Sequence, residues 1–361
     1  MAKGLLIIKT LTPTHPGAGT SLGAIDLMLQ REVTTDFPFI QGSSLKGAIR
    51  NYLENQPVRA EESLVRELLE EVKIRLKKER SENEPDKLLS EIQYYQENSS
   101  IFPTFKAREY IQMLINTARD EREQSEIKSK FSPLYKALDQ VFGPYTPKGE
   151  IEKGSLIISD ASLLFYPVRS LKGLYALVTC PEILRRLTMP HIGLEISDSI
   201  LNIEDKGNVM ALETTKSKYA INGRVYFEDL NFSVKTINSN ELSWIGQELG
   251  LNDDIKSRLF IVHNDVFQYF VVFATQVISR NRISYKTGIV ETGALWSEEH
   301  LPPETYLFSY LEDDGEPVDG SQPAFKWLES KFASSNVIHL GGDETVGKGF
   351  VELGFKELQE G

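Results

Sequence analysis

GLLIIKTLTPTHPGAGTSLGAIDLMLQRE occupies residues 4–32. It opens on a short apolar run, GLLIIKTL, suited to a buried strand. The following TPTHPGAGTSLGAID holds Pro13, Pro16, Gly17, Gly19 and Gly23. So many chain breakers predict an irregular loop whose backbone can lie close to a ligand, since glycine has no side chain to hold it away.

Outward from this segment, FPFI (37–40) reads as a brief extended piece. QGSSLKGAIRNYLEN (41–55) reads as a turn at Gly42 followed by a helix with Ser43 or Ser44 as its N-cap. A helix start offers N–H groups and partial positive charge to an anion. Lys46 and Arg50 lie four residues apart on one face of that helix; they either add phosphate affinity or form ordinary helix surface.

A third glycine-rich stretch, GGDETVGKG (341–349), has the Gly-x4-Gly-Lys spacing of a nucleotide-binding P-loop. Gly349 stands where Ser or Thr would hold a metal. VIHL before it reads as a strand, but FVELGF after it looks extended, and too little chain follows for the helix and further strands such an ATPase needs. The ATPase reading is set aside. What survives is flexible backbone with Gly347 and Lys348, suited to phosphate contact. Three such loops, two with cations nearby, predict a backbone that tracks a polyanion.

Residues 56–140 differ. EESLVRELLEEVKIRLKKER places Leu64, Leu68, Leu69, Val72 and Leu76 at helical spacing among charges, and DKLLSEIQYYQ and REYIQMLINTARDE continue the pattern. A charged helical insertion is predicted. Strand signals return in GSLIISDASLLFYPV and GLYALVTC, and Pro181 opens a helix in PEILRRL. The stretch from about 188 to 235 is polar and strand-like, with a hairpin turn predicted at Asn222-Gly223. LFIVH, RISYKTGIV and TYLFSYLE read as further strands, and DVFQYFVVFATQV as a helix capped by Asn264 or Asp265. Strands mixed with segregated helices predict an α+β fold.

The 361 residues suffice for one large domain or two modest ones. No apolar run is long enough for a membrane span, and the N-terminus lacks a signal-peptide core. The single cysteine, Cys180, excludes an internal disulfide and any multi-cysteine zinc site, so a cytoplasmic location is the default expectation. The net charge of -12 argues at face value against a nucleic-acid partner. Its distribution weakens that objection: residues 291–361 carry -11, residues 1–55 carry +1, and residues 151–290 balance.

At this point the motifs align with a known family. LTPTHPGAGTSLGAIDLMLQRE and FPFIQGSSLKGAIR resemble the N-terminal signature of RAMP-superfamily proteins, and more narrowly the repeated backbone subunit of the type III-B CRISPR effector, the Cmr complex. ISDASLLFYPVRSLKGLYALVTCPEILRRL, VETGALWSEEHLPPETYLFSY and GGDETVGKGFVEL resemble its later blocks. The resemblance implies a modified ferredoxin-like (RRM-like) palm over residues 1–55 and 141–361, interrupted by the helical insertion 56–140, with a β-hairpin thumb near 188–235. It implies like copies arranged head to tail along a CRISPR guide RNA, other effector subunits as partners, and complementary single-stranded target RNA cut at regular intervals with Mg²⁺ or Mn²⁺. The family's catalytic aspartate falls on Asp26, the expected metal ligand. A family histidine falls on His15. Ser43, Ser44, Lys46 and Arg50 correspond to palm positions that contact guide RNA.

From the residues alone, Asp26 is equally a turn residue or a partner for Arg31. One carboxylate with phosphate oxygens can hold Mg²⁺, and a neighbouring 2′-OH can serve as nucleophile, so a lone aspartate is chemically adequate. His15 is an acid–base group, an RNA contact or a loop-packing residue. Gly17 and Gly19 are expected to lie along the RNA. Arg169, Arg280 and Arg282 either face RNA or form salt bridges. Tyr219, Tyr226 and Phe227 either stack on bases or pack the sheet. His263 and His339 read as core or strand-end residues. Two rival functions remain: a non-catalytic RNA-binding backbone, and a nuclease that processes precursor CRISPR RNA.

Overall fold

The computed structural model describes residues 2–20, 25–57, 62–79, 87–144, 153–318 and 320–358. Gly23 of the first loop and Asp86 of the insertion lie outside these residues. The chain divides into two compact units. One comprises residues 46–157 and 313–331, and the other residues 2–45, 158–312 and 332–361.

The larger unit is built around Lys3–Thr10. Its apolar run is buried on both faces because it is a central strand. It pairs antiparallel with Tyr306–Asp313 on one side and Phe350–Glu357 on the other. The sheet runs Val337–His339, Phe350–Glu357, Lys3–Thr10, Tyr306–Asp313, Ala161–Arg169, Tyr175–Thr179, Leu259–Ile261, Asn208–Leu212, Leu230–Ile237 and Arg224–Phe227. FVELGF is therefore a strand, as its composition predicted, and the helix a P-loop requires is not there. Phe260, Phe267 and Phe270 are fully buried in this unit.

A second sheet has the order Gln276–Ile283, Val290–His300, Leu27–Leu29 and Gly17–Thr20. Its first two strands form a long hairpin, on which Ile283, Tyr285, Ile289 and Leu295 are exposed. RISYKTGIV, expected as one strand, instead spans the hairpin's turn: the Ser284 N–H donates to the Ile289 carbonyl and Gly288 takes a positive φ of 69°. The segment 188–235, where the thumb was expected, places Asn208–Leu212, Arg224–Phe227 and part of Leu230–Ile237 in the large sheet. The Asn222-Gly223 turn forms, with φ of 50° and 80° and reciprocal bonds between Ile221 and Arg224. The residues before it are the helix Glu213–Tyr219, not a strand.

The smaller unit confirms the helical reading. Glu62–Glu79, Lys87–Glu97, Thr104–Asn116 and Glu121–Phe131 enclose a core of Val65, Leu68, Leu69, Val72, Phe102, Tyr110, Ile111 and Phe131. Leu64 and Leu76 pack at its edge. Among the described residues no helix is long and apolar enough to cross a membrane.

Candidate functional site

Five consecutive residues at the end of Val290–His300 and just beyond it organise the first loop. Ser297 donates from its backbone N–H to Asp26 Oδ2 at 2.8 Å and from its hydroxyl to the same oxygen at 2.9 Å. The Asp26 N–H returns a bond to Ser297 Oγ at 3.2 Å. Glu298 pairs with Leu27 across the sheet. The Glu299 carboxylate accepts from the Leu29 N–H at 2.9 Å and from Arg31 at 2.5 Å. His15 Nδ1 donates to the Glu299 carbonyl at 2.6 Å, and its ring lies 5.4 Å from that of His300. Thr14 bridges Leu301. Asp26 and Arg31, one alternative pairing, are not bonded to each other, since Arg31 binds Glu299 and the Asp36 and Val271 carbonyls. Asp26 remains exposed and is held by neutral donors, chiefly the Ser297 backbone N–H, which keep its carboxyl below the usual aspartate value.

The three segments singled out in the sequence share one groove. It has a volume of about 370 Å³ and is lined by Thr14, His15, Pro16, Gly17 and Gly19 of the first loop. Ser44 enters from the helix Gly42–Glu54 and Gln41 from the residue just before it, and Gly341 and Gly342 from the terminal loop. Close backbone approach explains two glycines. A Cβ on Gly341, whose φ is 84°, would stand 2.5 Å from the His15 carbonyl oxygen, and one on Gly42 would stand 2.6 Å from that of Ile158. The helix begins at Gly42, whose N–H bonds Asp160 Oδ1 at 2.7 Å. Ser43 and Ser44 therefore occupy the first turn, both exposed, and are not its N-cap.

The cations are placed differently from expectation. Lys46 donates to the Leu156 carbonyl at 2.8 Å, and burial, then Arg50, lowers its pKa. Arg50 bonds Glu54 at 2.9 Å and the Gly143 carbonyl at 3.0 Å. Both thus have partners within the helical unit. Lys348 turns inward, 3.3 Å from His300 Nε2 and 3.9 Å from Glu298. Gly347 is exposed at the loop tip with φ 78°. Arg169 does not line this groove. It pairs with Glu228 at 2.5 Å beside a second groove of about 570 Å³.

Arg280 is a salt-bridge residue, with both Glu298 oxygens at 3.0 Å and Asp343 at 2.5 Å. The Trp296 indole N–H also donates to Glu298, at 2.7 Å. Glu298, His300 and Asp343 offer ligand atoms within 4.8 Å of one another. Arg280 and Lys348 already balance the two carboxylate charges there, so this cluster reads as an ion-pair network and not a cation site. Burial, then Lys348 and His15, pushes His300 below its ordinary 6.5. Sequence reasoning missed the network because its members are distant in sequence.

Phe227 in the sheet and Tyr219 at the end of the helix Glu213–Tyr219 are both fully buried, against Phe260, which settles them as packing residues. His263, expected in the core or at a strand end, is itself the N-cap of Asn264–Phe273, accepting from the Asp265 N–H at 3.1 Å.

An α+β sheet whose glycine loops and a helix start converge on one open groove defines a class of protein shaped to lie along an extended polyanion. The profile of the RAMP superfamily matches residues 7–352, and the chain belongs to that family. It is 30% identical to the CRISPR system Cmr endoribonuclease Cmr4 of Pyrococcus furiosus, over 98% of this chain and 96% of that protein. It is 24% identical to the CRISPR system CMR subunit Cmr4 of Saccharolobus solfataricus over 64% of this chain and 80% of that one. Among solved structures, oligomeric Cmr4 from Pyrococcus furiosus aligns with a TM-score of 0.59 at 24% identity, over the whole of both chains. A chain of the type III-B Cmr-beta complex bound to cognate target RNA aligns with a TM-score of 0.61 at 20% identity, covering 98% of this chain and 97% of that one. These likenesses establish the fold as that of the RAMP palm.

Proposed function

We propose that this chain is a guide-RNA-binding backbone subunit of a type III-B CRISPR effector, and that within the assembled complex it cuts complementary target RNA. The observation that carries this reading is the meeting of all three backbone-rich segments in one groove, on the same loop system that presents the exposed Asp26. The 30% identity to an endoribonuclease supports the same reading. Partners are guide RNA, target RNA, further copies of the chain in a head-to-tail open arrangement, and other effector subunits.

The groove residues bind and orient. Gly17 and Gly19 let phosphates approach the main chain, and the first turn at Ser43 and Ser44 offers N–H groups and a dipole to a phosphate. His15 gives its Nδ1–H to the Glu299 carbonyl, which orients the ring and leaves Nε2 as the nitrogen available to the groove. The long hairpin Gln276–His300, with its exposed apolar side chains, is the element best suited to act as the thumb that bends the guide–target duplex. In a bent strand the 2′-oxygen lines up with the adjacent phosphorus. The 2′-O–P bond forms as the P–O5′ bond breaks, leaving a 2′,3′-cyclic phosphate. The 2′-OH proton departs to a base and O5′ acquires one. Asp26 fits a divalent ion as a single exposed anionic donor, with substrate phosphate oxygens and water completing the set. Mg²⁺ or Mn²⁺ held there would supply charge stabilisation at the phosphate.

The test is an assembled, guide-loaded complex with labelled target RNA, with Mg²⁺ and then EDTA. Evenly spaced products that depend on the ion and on Asp26 support the reading. Uncut target from a complex that binds it tightly favours a purely structural backbone instead. Cutting of precursor guide RNA by the isolated chain without metal would favour the processing nuclease.

A further inference from the structure

We infer that Ser297 is a positioning residue for Asp26, an inference that rests on the functional reading above. The two residues are 271 positions apart and form a reciprocal clamp of three hydrogen bonds at 2.8, 2.9 and 3.2 Å. Both bonds to the carboxylate fall on Oδ2. The clamp therefore restrains the carboxylate through one oxygen and does not engage Oδ1.

The clamp has a physical rationale. Asp26 lies in a bend, not in a strand. An exposed side chain in such a segment samples several rotamers, and each bond to an ionised oxygen narrows that set. Ser297 is suited to the task because it is half-buried in a strand paired along its length with Gln276–Ile283. A neutral hydroxyl also directs the carboxylate without neutralising it, whereas an Arg partner would compete for the same oxygens. Placement on a rigid element gives the loop a reference point that the glycines alone cannot supply.

Assembled complexes carrying Ser297→Ala, Ser297→Cys, Ser297→Thr and Asp26→Ala are compared with wild type. The readouts are single-turnover cutting at saturating target, target affinity in EDTA, and melting temperature. The expected result for Ser297→Ala is a cutting rate about tenfold lower, with target affinity and melting temperature unchanged. Ser297→Cys, a weaker donor of similar size, falls between. Ser297→Thr, which restores the hydroxyl and suits a strand, recovers most of the rate. Wild-type cutting by Ser297→Ala, or no recovery with Thr, overturns the assignment if Asp26→Ala is inactive. Parallel loss of rate, affinity and melting temperature in the Ala and Cys variants also overturns it. Cutting by Asp26→Ala at the wild-type rate instead removes the underlying reading of Asp26.

Discussion

Ser297 and Glu298 are neighbours on one strand, yet they define two opposite carboxylate environments. Beside Ser297, Asp26 is exposed and held only by neutral donors. The Glu298 side chain is 4% exposed and meets Arg280, Lys348 and Trp296. The first carboxylate has no cationic partner among the described contacts. The second is neutralised within the protein, with Asp343 drawn into the same network. The contrast teaches that acid density alone does not mark a reaction centre; the identity of the partners decides what a carboxylate can do.

The comparison can be broken or sharpened experimentally. The largest expected effect is that of Asp26→Ala, which should lower target cutting at least about a hundredfold while the complex still assembles and binds RNA. Gel analysis of cutting and a parallel binding titration check this. Arg280→Ala comes next. It leaves Glu298 and Asp343 with less compensation and should cost about 2–3 kcal/mol, reduced from a fully buried pair by the 26% exposure of Arg280. Calorimetry should show a melting temperature lower by several degrees.

The same variant has a pH signature. Burial raises the Asp343 carboxyl, but the hydrogen bond and charge of Arg280, with the charge of Lys348, more than offset this, so it lies below its ordinary 3.8. A carboxyl depressed in the folded state contributes stability above its unfolded value and loses it as pH falls through the folded value. Acid unfolding governed by Asp343 therefore falls below about pH 4 in wild type. In Arg280→Ala that depression is lost, so the stability gap between variant and wild type, followed by tryptophan fluorescence, should be widest above about pH 4 and narrow below it.

Lys348→Met should cost about 1 kcal/mol of stability and leave the salt dependence of RNA binding unchanged, because its ammonium faces His300 and Glu298. A drop of one unit in the salt slope would make it a phosphate contact after all. The smallest effect belongs to Arg169→Ala. Its ion pair is 87% exposed on the Arg side, so chemical denaturation should move by less than about 1 kcal/mol.

Local sequence was enough to define several elements. The run GLLII could only be buried, and it became a central strand. The leucine stripe from Leu64 to Leu76 marked a helix, and Asn222-Gly223 marked a turn because few residues tolerate positive φ. Gly42 and the breakers of the first loop marked places where backbone comes close. Each of these depends on residues within a turn or two of one another. Strand pairing was harder to read, because the β-prone residues of 188–235 and 276–300 look alike along the chain until pairing puts the first in the large sheet and joins the second into a hairpin of the smaller one.

Tertiary structure alone decided which charges are available. Lys46, Arg50 and Lys348 read as cations suited to phosphate, and Arg280 as either an RNA contact or a salt-bridge residue; each meets carboxylates or carbonyls brought from elsewhere in the chain. One alternative for Asp26 was a pair with Arg31, but Glu299 took that arginine and Ser297 took Asp26. Propensity and periodicity are local properties, whereas hydrogen bonds and ion pairs are set by which groups folding leaves within about 3 Å of one another. That distance is invisible along the chain.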